Sequence, residues 1–77
     1  MIGIILKNAR IQRGFSQEEL GNKLSLARNT ISSYERGNSQ PDFDTVIKIL
    51  NICGYELQLK DIQNNNIVDI NKFSREI

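Results

Sequence analysis

The sequence predicts an all-α domain followed by one β-strand, and three observations lead to this prediction. Apolar residues recur three and four positions apart through most of residues 1–54, as they do along one face of a helix. Ser16, with Glu19 three positions later, forms the capping box that opens a helix. After Gly54, apolar and polar residues alternate, which is typical of a half-buried strand. We therefore divide the chain into a helical domain, residues 1–54, and a C-terminal segment, residues 55–77.

The first helix is predicted to begin at residue 2 or 4 and to end at residue 12. Gly14 follows it, and glycine at this place commonly ends a helix in a left-handed conformation. The face that should turn toward the core carries Ile2, Leu6 and Ala9.

Two short helices joined by a tight turn at Ser25 are predicted within residues 15–37. Each helix is too short to be stable alone, so each must bury its apolar stripe against neighbouring elements. The stripes consist of Leu20 and Leu24 in the first helix and of Ile31 and Tyr34 in the second. The outer face of the second helix carries Arg28, Asn29, Ser32 and Ser33. Compact polar side chains of this kind read base edges when a helix presents them to the major groove of DNA.

A further helix is predicted after a loop at residues 37–41, with Asp42 as its N-cap and Gly54 as its stop. A short additional helical element, if present, is expected to be fused to its start. The apolar positions of the helix that Asp42 caps are Val46, Ile49, Leu50 and Cys53. Val46 and Leu50 are predicted to join the core with the earlier stripes, and Cys53 is predicted to act as a small apolar residue.

The strand is predicted at residues 55–60. An isolated strand leaves its backbone unpaired, so it needs either a second chain or a hairpin return. Residues 63–66 are predicted to be a polar turn or linker, and the tail, residues 67–77, fits either a helix or a returning strand. We favour the helix. Its stripe would consist of Ile67, Ile70, Phe73 and Ile77, whereas a returning strand would contain Val68 and Ile70.

The composition argues against an enzyme, a membrane protein and a metal site. The chain contains no histidine, which is the commonest general base and metal ligand. Its single cysteine, Cys53, allows no intramolecular disulfide or metal cluster, and this suits a cytoplasmic protein. The apolar start is ended by Lys7, too early for a signal peptide, and no apolar run is long enough to span a membrane. We therefore expect no catalytic residue, cofactor or metal.

Charge is distributed unevenly, although the net charge is only +1. Residues 1–40 carry six basic and three acidic side chains, whereas residues 41–77 carry four basic and six acidic ones. The basic half contains the two short helices, as attraction to DNA phosphates requires. Ordinary scatter of charges would produce a similar excess, so the asymmetry supports a nucleic-acid partner without establishing one.

The segments SQEEL and ISSYERG, followed by Pro41, resemble the helix-turn-helix domain of the Xre family, which includes the lambda and Cro-type repressors. The resemblance covers roughly residues 4–54. It implies a five-helix domain that binds double-stranded operator DNA as a homodimer, with the second motif helix in the major groove. The GYELQL segment further resembles the strand of HipB-type antitoxins, in which two subunits pair their strands.

The resemblance and the residue types together indicate which side chains contact DNA. Arg28 and Asn29 are expected to read bases because these side chains prefer guanine and adenine edges. Ser33 is expected to read a base directly or through water, and Thr30 to contact either a base or a phosphate. Phosphate contacts are expected from Gln17, Arg36, Asn38 and Ser39. Generic, solvated positions are expected for Lys7, Arg13 and Lys23.

The resemblance also implies a structural ion pair, and the chain departs from the family at two positions. In lambda-like repressors an arginine of the first helix pairs with the glutamate of the ExG segment, so we predict that Arg10 pairs with Glu35. Ser25 stands where the turn usually has glycine, and Ala27 stands where the reading helix usually has a Ser or Thr cap. Each departure should cost about 1 kcal/mol.

The predicted function is that of a dimeric, sequence-specific repressor with a palindromic operator. The predicted strand favours the antitoxin of a HipBA-like toxin–antitoxin operon that represses its own promoter. A stand-alone phage-type repressor or a restriction–modification controller protein is the alternative within this class. A module that binds and neutralises a toxin protein is the alternative from another class. Dimer or partner contacts are expected from Tyr55, Leu57, Leu59, Ile67, Ile70 and Phe73.

Overall fold

A computed structural model describes residues 1–74, which form a helical body followed by a small β-hairpin. The body consists of α1 (Ile2–Gln12), α2 (Gln17–Leu24), α3 (Arg28–Arg36) and α4 (Phe43–Ile52). The C-terminal segment contains β1 (Gln58–Lys60), β2 (Ile67–Asp69) and α5 (Ile70–Phe73). This part of the chain is predominantly helical with five helices, as predicted, but only four of them lie in the helical body and the fifth lies in the C-terminal segment. The sheet has two strands instead of one. None of these helices is both long and apolar enough to cross a membrane.

Side-chain caps determine where α2 and α4 begin. The Ser16 hydroxyl accepts a hydrogen bond from the backbone N–H of Glu19, and the Glu19 carboxylate accepts one from the backbone N–H of Ser16. The predicted capping box is therefore confirmed. Asp42 caps α4 by accepting from the N–H of Thr45 at 2.8 Å. Residues 37–42, which are all described, contain no separate short helix before α4.

The core lies between the four helices of the body and is closed at the end of α4 by Cys53. Its buried apolar residues are Leu6, Ala9, Leu20, Ile31, Val46, Ile49, Leu50 and Cys53. Ile2, Leu24 and Tyr34 are half-buried and pack against this cluster from its edge. Burying these side chains supplies the hydrophobic stabilisation that such short helices need in order to persist.

Two glycines allow close approaches within the body, Gly3 between α1 and α3 and Gly21 between α2 and the turn that follows it. A Cβ atom on Gly3 of α1 would lie 2.5 Å from the backbone oxygen of Tyr34 in α3. A Cβ atom on Gly21 of α2 would lie 2.5 Å from the backbone oxygen of Leu26 in the following turn. Because these neighbours are backbone atoms, any larger residue would push the elements apart. The spacing of α1 and α3 therefore depends on Gly3, and the packing of the turn against α2 depends on Gly21.

In the C-terminal segment the predicted strand finds its partner through a hairpin return, one of the two possibilities that the sequence left open. The strand is shorter than residues 55–60, and it pairs with β2 of the same chain in antiparallel register, with Leu59 opposite Val68. The favoured helix over residues 67–77 is wrong for Ile67–Asp69, which form β2, and is confirmed for Ile70–Phe73, which form α5. The Ile77 end of that prediction lies outside the described residues.

A tight turn explains why residues 67–69 form a strand. The backbone N–H of Asp61 donates to the Asn66 oxygen and that of Asn65 donates to the Asp61 oxygen, both at 2.8 Å. Asn65 has a φ of 63°, a left-handed conformation that asparagine tolerates better than most residues. The turn returns the chain alongside β1, where backbone pairing satisfies groups that would otherwise stay open. The stabilisation from this pairing outweighs the preference for a helix that the spacing of the apolar residues indicates.

Candidate nucleic-acid interface

The turn between α2 and α3 keeps its geometry although two of its residues stabilise it poorly. Ser25 has φ 57° and ψ 38°, the left-handed conformation in which glycine is favoured. The N–H of Leu26 donates to the oxygen of Gly21 at 2.8 Å and closes the turn. Ala27 is the N-cap of α3, and its methyl group cannot accept a hydrogen bond from the helix. Packing of the turn against its neighbours must therefore offset both costs.

α3 has a buried side and a polar side. Ile31 and Glu35 are buried against the body, whereas Arg28 and Asn29 in the first turn are exposed. Thr30 and Ser32 are half-buried at the edges of the polar side. The structure thus presents an arginine and an asparagine next to each other at the start of an anchored helix.

The end of α3 is joined to the following loop through Ser33. Its hydroxyl lies 2.8 Å from that of Ser39, and its backbone oxygen accepts from the N–H of Asn38 at 3.0 Å. Gly37 adopts φ 78°, the left-handed helix end that the sequence predicts. Arg36, Asn38 and Ser39 are all exposed. These hydrogen bonds therefore bring Ser33, which is predicted to read a base, together with Asn38 and Ser39, which are predicted to contact phosphate.

A hydrogen-bonded network ties α1 and α2 to α3. The Nε and Nη2 atoms of Arg10 donate to the two carboxylate oxygens of Glu35 at 2.7 and 3.0 Å. The third donor, Nη1 of Arg10, reaches the backbone oxygen of Phe15 at 2.8 Å. Nε2 of Gln17 donates to Oε1 of Glu35 at 3.1 Å. The Glu35 side chain, only 3% exposed, therefore receives three hydrogen bonds.

This network determines the charge state of Glu35. Burial opposes its ionisation, but the hydrogen bonds from Arg10 and Gln17, with the nearby charges of Arg10 and Lys7, outweigh burial and lower the pKa of Glu35. The hydrogen bond to Glu35 correspondingly raises the pKa of Arg10. Both groups are ionised at neutral pH, so the interior contains a paired positive and negative charge.

Two basic residues that were expected to be solvated make specific contacts. Nε of Arg13 donates to the backbone oxygen of Cys53 at 2.6 Å, and its guanidinium lies 5.3 Å from the centre of the Tyr55 ring. The ammonium of Lys23 lies 5.1 Å from the centre of the Phe15 ring. Both distances fall within the range of cation–π attraction. Arg13 thus joins the end of α1 to the end of α4, a contact that sequence reasoning missed.

Gly3 and Gly21 were also missed, although the sequence contained a signal for them. Glycine inside a helix costs about 1 kcal/mol relative to alanine, so an interior glycine indicates a close packing contact. Arg13 had no such signal, because its partner oxygen belongs to a residue 40 positions away.

The helix-turn-helix family (HTH_3) matches residues 6–60, which is more than half of the chain. The chain belongs to this family. The matched region contains the α2–turn–α3 unit with its exposed polar face, together with α4 and β1.

Three curated relatives are similar to this chain. The HTH-type transcriptional regulator ImmR of Bacillus subtilis is 34% identical over 73 residues, which is 90% of this chain and 58% of that protein. The SPbeta prophage-derived regulator YonR of the same species is 37% identical over 54 residues, 70% of this chain and 50% of that protein. The cryptic phage CTXphi transcriptional repressor RstR of Vibrio cholerae is 33% identical over 49 residues, 64% of this chain and 44% of that protein.

The chain thus spans about half the length of these relatives. No solved structure matches it with comparable significance.

Proposed function

We propose that this chain is a sequence-specific, DNA-binding transcriptional repressor. The observation that carries the proposal is the pair of exposed side chains, Arg28 and Asn29, at the start of α3. Arginine contacts guanine and asparagine contacts adenine through two hydrogen bonds each, and one such contact is worth about 1–3 kcal/mol of discrimination. The buried side of α3, with Ile31 and Glu35, anchors this face to the body. Membership of a helix-turn-helix family and relatives named as transcriptional regulators support the same function.

Phosphate contacts on both sides of α3 would hold it in register. Gln17 lies at the start of α2, where free backbone N–H groups attract anions. At the other end, Arg36, Asn38 and Ser39 would contact phosphate, while Ser33 and Thr30 would contact bases or bridge to them through water. Such contacts set orientation, and the exposed residues at the start of α3 set sequence preference.

Within this class, we favour a stand-alone repressor of phage type. RstR is named as a phage transcriptional repressor, and YonR is named as prophage-derived. The repressor would bind a palindromic operator as a homodimer, with its two reading helices about 34–36 Å apart.

The C-terminal segment is the proposed dimer contact. Leu59, Ile67 and Phe73 are 41%, 55% and 69% exposed, which leaves apolar surface open on the hairpin and α5. Tyr55 is exposed, and Leu57 and Ile70 are half-buried beside them. Because β1 already pairs with β2 through one edge, a second subunit would pack on these side chains or extend the sheet from an outer edge.

The second candidate is the antitoxin of a HipBA-like operon, in which the same apolar surface would bind a toxin protein. The exposed Ile67 and Phe73 favour it as much as they favour a dimer. A tagged chain purified from its native host distinguishes the two. Recovery of the chain as a dimer alone supports the stand-alone repressor, whereas recovery with a stoichiometric protein partner supports the antitoxin.

The decisive experiment on DNA binding is selection of bound sequences from a random duplex library. The wild-type chain should enrich a palindromic sequence. Arg28→Ala/Asn29→Ala should lose this preference and bind the enriched duplex about 10- to 1,000-fold more weakly. Lys48→Ala/Asn51→Ala is the matched control, since it removes the same kinds of group from exposed positions on α4. If the first double variant bound the enriched duplex with unchanged specificity, the assignment of α3 as the reading helix would be wrong.

A further inference from the structure

The side chain of Gln17, the first residue of α2, is hydrogen-bonded to α3. Its Nε2 atom donates to Oε1 of Glu35 at 3.1 Å, and the residue is half-buried. An amide nitrogen carries two hydrogens, so this bond leaves one side-chain donor available. The backbone N–H of Gln17 belongs to the first turn of α2, where N–H groups have no acceptor within the helix. Gln17 therefore keeps a side-chain donor and a backbone donor for another acceptor while its amide remains hydrogen-bonded to Glu35.

The start of α2 is anchored on both sides of its cap residue. Before Ser16, the oxygen of Phe15 accepts a hydrogen bond from Nη1 of Arg10 at 2.8 Å. After Ser16, the Gln17 amide is bound to Glu35. Arg10 and Glu35 are themselves joined by two hydrogen bonds. The same buried ion pair therefore holds the backbone on one side of the helix start and a side chain on the other.

We infer that Glu35 is a positioning residue for DNA binding, which it serves by holding the Gln17 amide in the orientation that contacts a backbone phosphate. This inference rests on the proposed function. A free glutamine side chain loses up to about 2 kcal/mol of rotamer freedom when a ligand immobilises it. Glu35 imposes that loss during folding, so less of it remains to be lost when DNA binds.

A purely structural role would explain the same hydrogen bond in a different way. Gln17 would then serve only to satisfy a buried carboxylate, and its own contribution to DNA binding would not depend on Glu35. The two roles differ in whether the effects of Gln17 and Glu35 on DNA affinity are coupled. A variant cycle measures that coupling.

The cycle uses a random-sequence duplex of about two helical turns at low salt, because phosphate contacts do not depend on sequence. Its four members are the wild type, Gln17→Ala, Arg10→Met/Glu35→Leu, and the triple variant. The paired replacement removes both charges together, so it avoids leaving one charge buried alone. Gln12→Ala is the matched control, since Gln12 is exposed at the end of α1.

We expect Gln17→Ala to weaken binding about tenfold in the wild type and less than about twofold in the Arg10→Met/Glu35→Leu background. The slope of affinity against salt should stay unchanged in Gln17→Ala, because a neutral amide displaces no counterion. Gln12→Ala should bind like the wild type. An equal loss from Gln17→Ala in both backgrounds would overturn the positioning role and leave the proposed function intact. A wild-type chain that binds no duplex would overturn the proposed function itself.

A measurement on the wild-type chain tests the same point if the paired replacement does not fold. Relaxation of the side-chain amides by NMR should show Gln17 as rigid, with an order parameter of about 0.8, and Gln12 as mobile, below about 0.6. The Gln17 value should change little when the duplex is added. A Gln17 side chain as mobile as that of Gln12 in the free chain would overturn the inference.

Discussion

Replacing Arg10 with methionine should severely destabilise the fold because the carboxylate of Glu35 would lose its counter-ion. The Glu35 side chain is only 3% exposed, and without the guanidinium it would keep a single hydrogen bond, from Gln17. Removing one member of a buried ion pair costs about 3–5 kcal/mol. A chain of this length has a free energy of unfolding of about 4–12 kcal/mol, so the variant should lose a large part of it. The midpoint of thermal unfolding should fall by at least about 10 °C.

Replacing both partners, as Arg10→Met/Glu35→Leu, should be far less harmful than the single replacement. The buried site would then contain no charge, and apolar replacements of buried ion pairs are often neutral or stabilising. We expect a free energy of unfolding within about 2 kcal/mol of the wild type. The remaining loss would come from the hydrogen bonds of Arg10 to Phe15 and of Gln17 to Glu35.

Urea denaturation at neutral pH, followed by circular dichroism, measures both variants on one scale. Similar slopes against urea would show that the folded states expose similar surface on unfolding. The reasoning would be refuted if Arg10→Met lost less than about 1 kcal/mol. A double variant no more stable than the single one would refute it equally, since the cost could not then be assigned to the uncompensated charge of Glu35.

Three further predictions concern pH, the turn and the interior glycines. The folded-state pKa of Glu35 lies below its ordinary value of 4.5, so ionised Glu35 stabilises the fold fully above that pH and this contribution is lost as the pH falls through the folded pKa. Between neutral and acid pH, the free energy of unfolding measured by urea denaturation should therefore fall more for the wild type than for Arg10→Met/Glu35→Leu. Ser25→Gly should raise the free energy of unfolding by about 1 kcal/mol by relieving the left-handed serine, and Ala27→Ser should add a similar amount by capping α3. Thermal unfolding midpoints of the two single variants check this, and a decrease in either would contradict it. Gly21→Ala should cost about 1–3 kcal/mol because its methyl group would overlap the Leu26 oxygen, whereas Gly14→Ala meets no neighbouring atom and should suffer only from its positive φ.

Interactions between residues close in the chain could be predicted because their partners are visible in the sequence. The capping box joins Ser16 to Glu19, and the cap of α4 joins Asp42 to Thr45, each across three positions. The resemblance to a known family also predicted an interaction between residues far apart in the chain, Arg10 and Glu35. The strain at Ser25 followed from the same resemblance, because the turn geometry requires a left-handed residue there whatever the side chain.

The C-terminal segment shows where local signals failed. Helical spacing of the apolar residues favoured a helix from Ile67, yet the backbone of Ile67–Asp69 pairs with β1. Spacing reports which faces of an element are apolar, but it does not report whether a turn such as that at Asn65 will bring an unpaired strand alongside. The turn that brings residues 67–69 back alongside β1 decides whether they form a strand.

The sequence by itself determined the helical body, the helix starts and the polar face of α3, because each depends on residues within one or two turns of each other. Only the tertiary structure decided that Arg13 binds the oxygen of Cys53 and that Gln17 binds Glu35. These partners lie 40 and 18 positions apart and meet because the packing of the helices brings them within hydrogen-bond distance. A lone arginine or glutamine has the same donors wherever it stands, so its partner is determined by the fold and cannot be predicted from the residue itself.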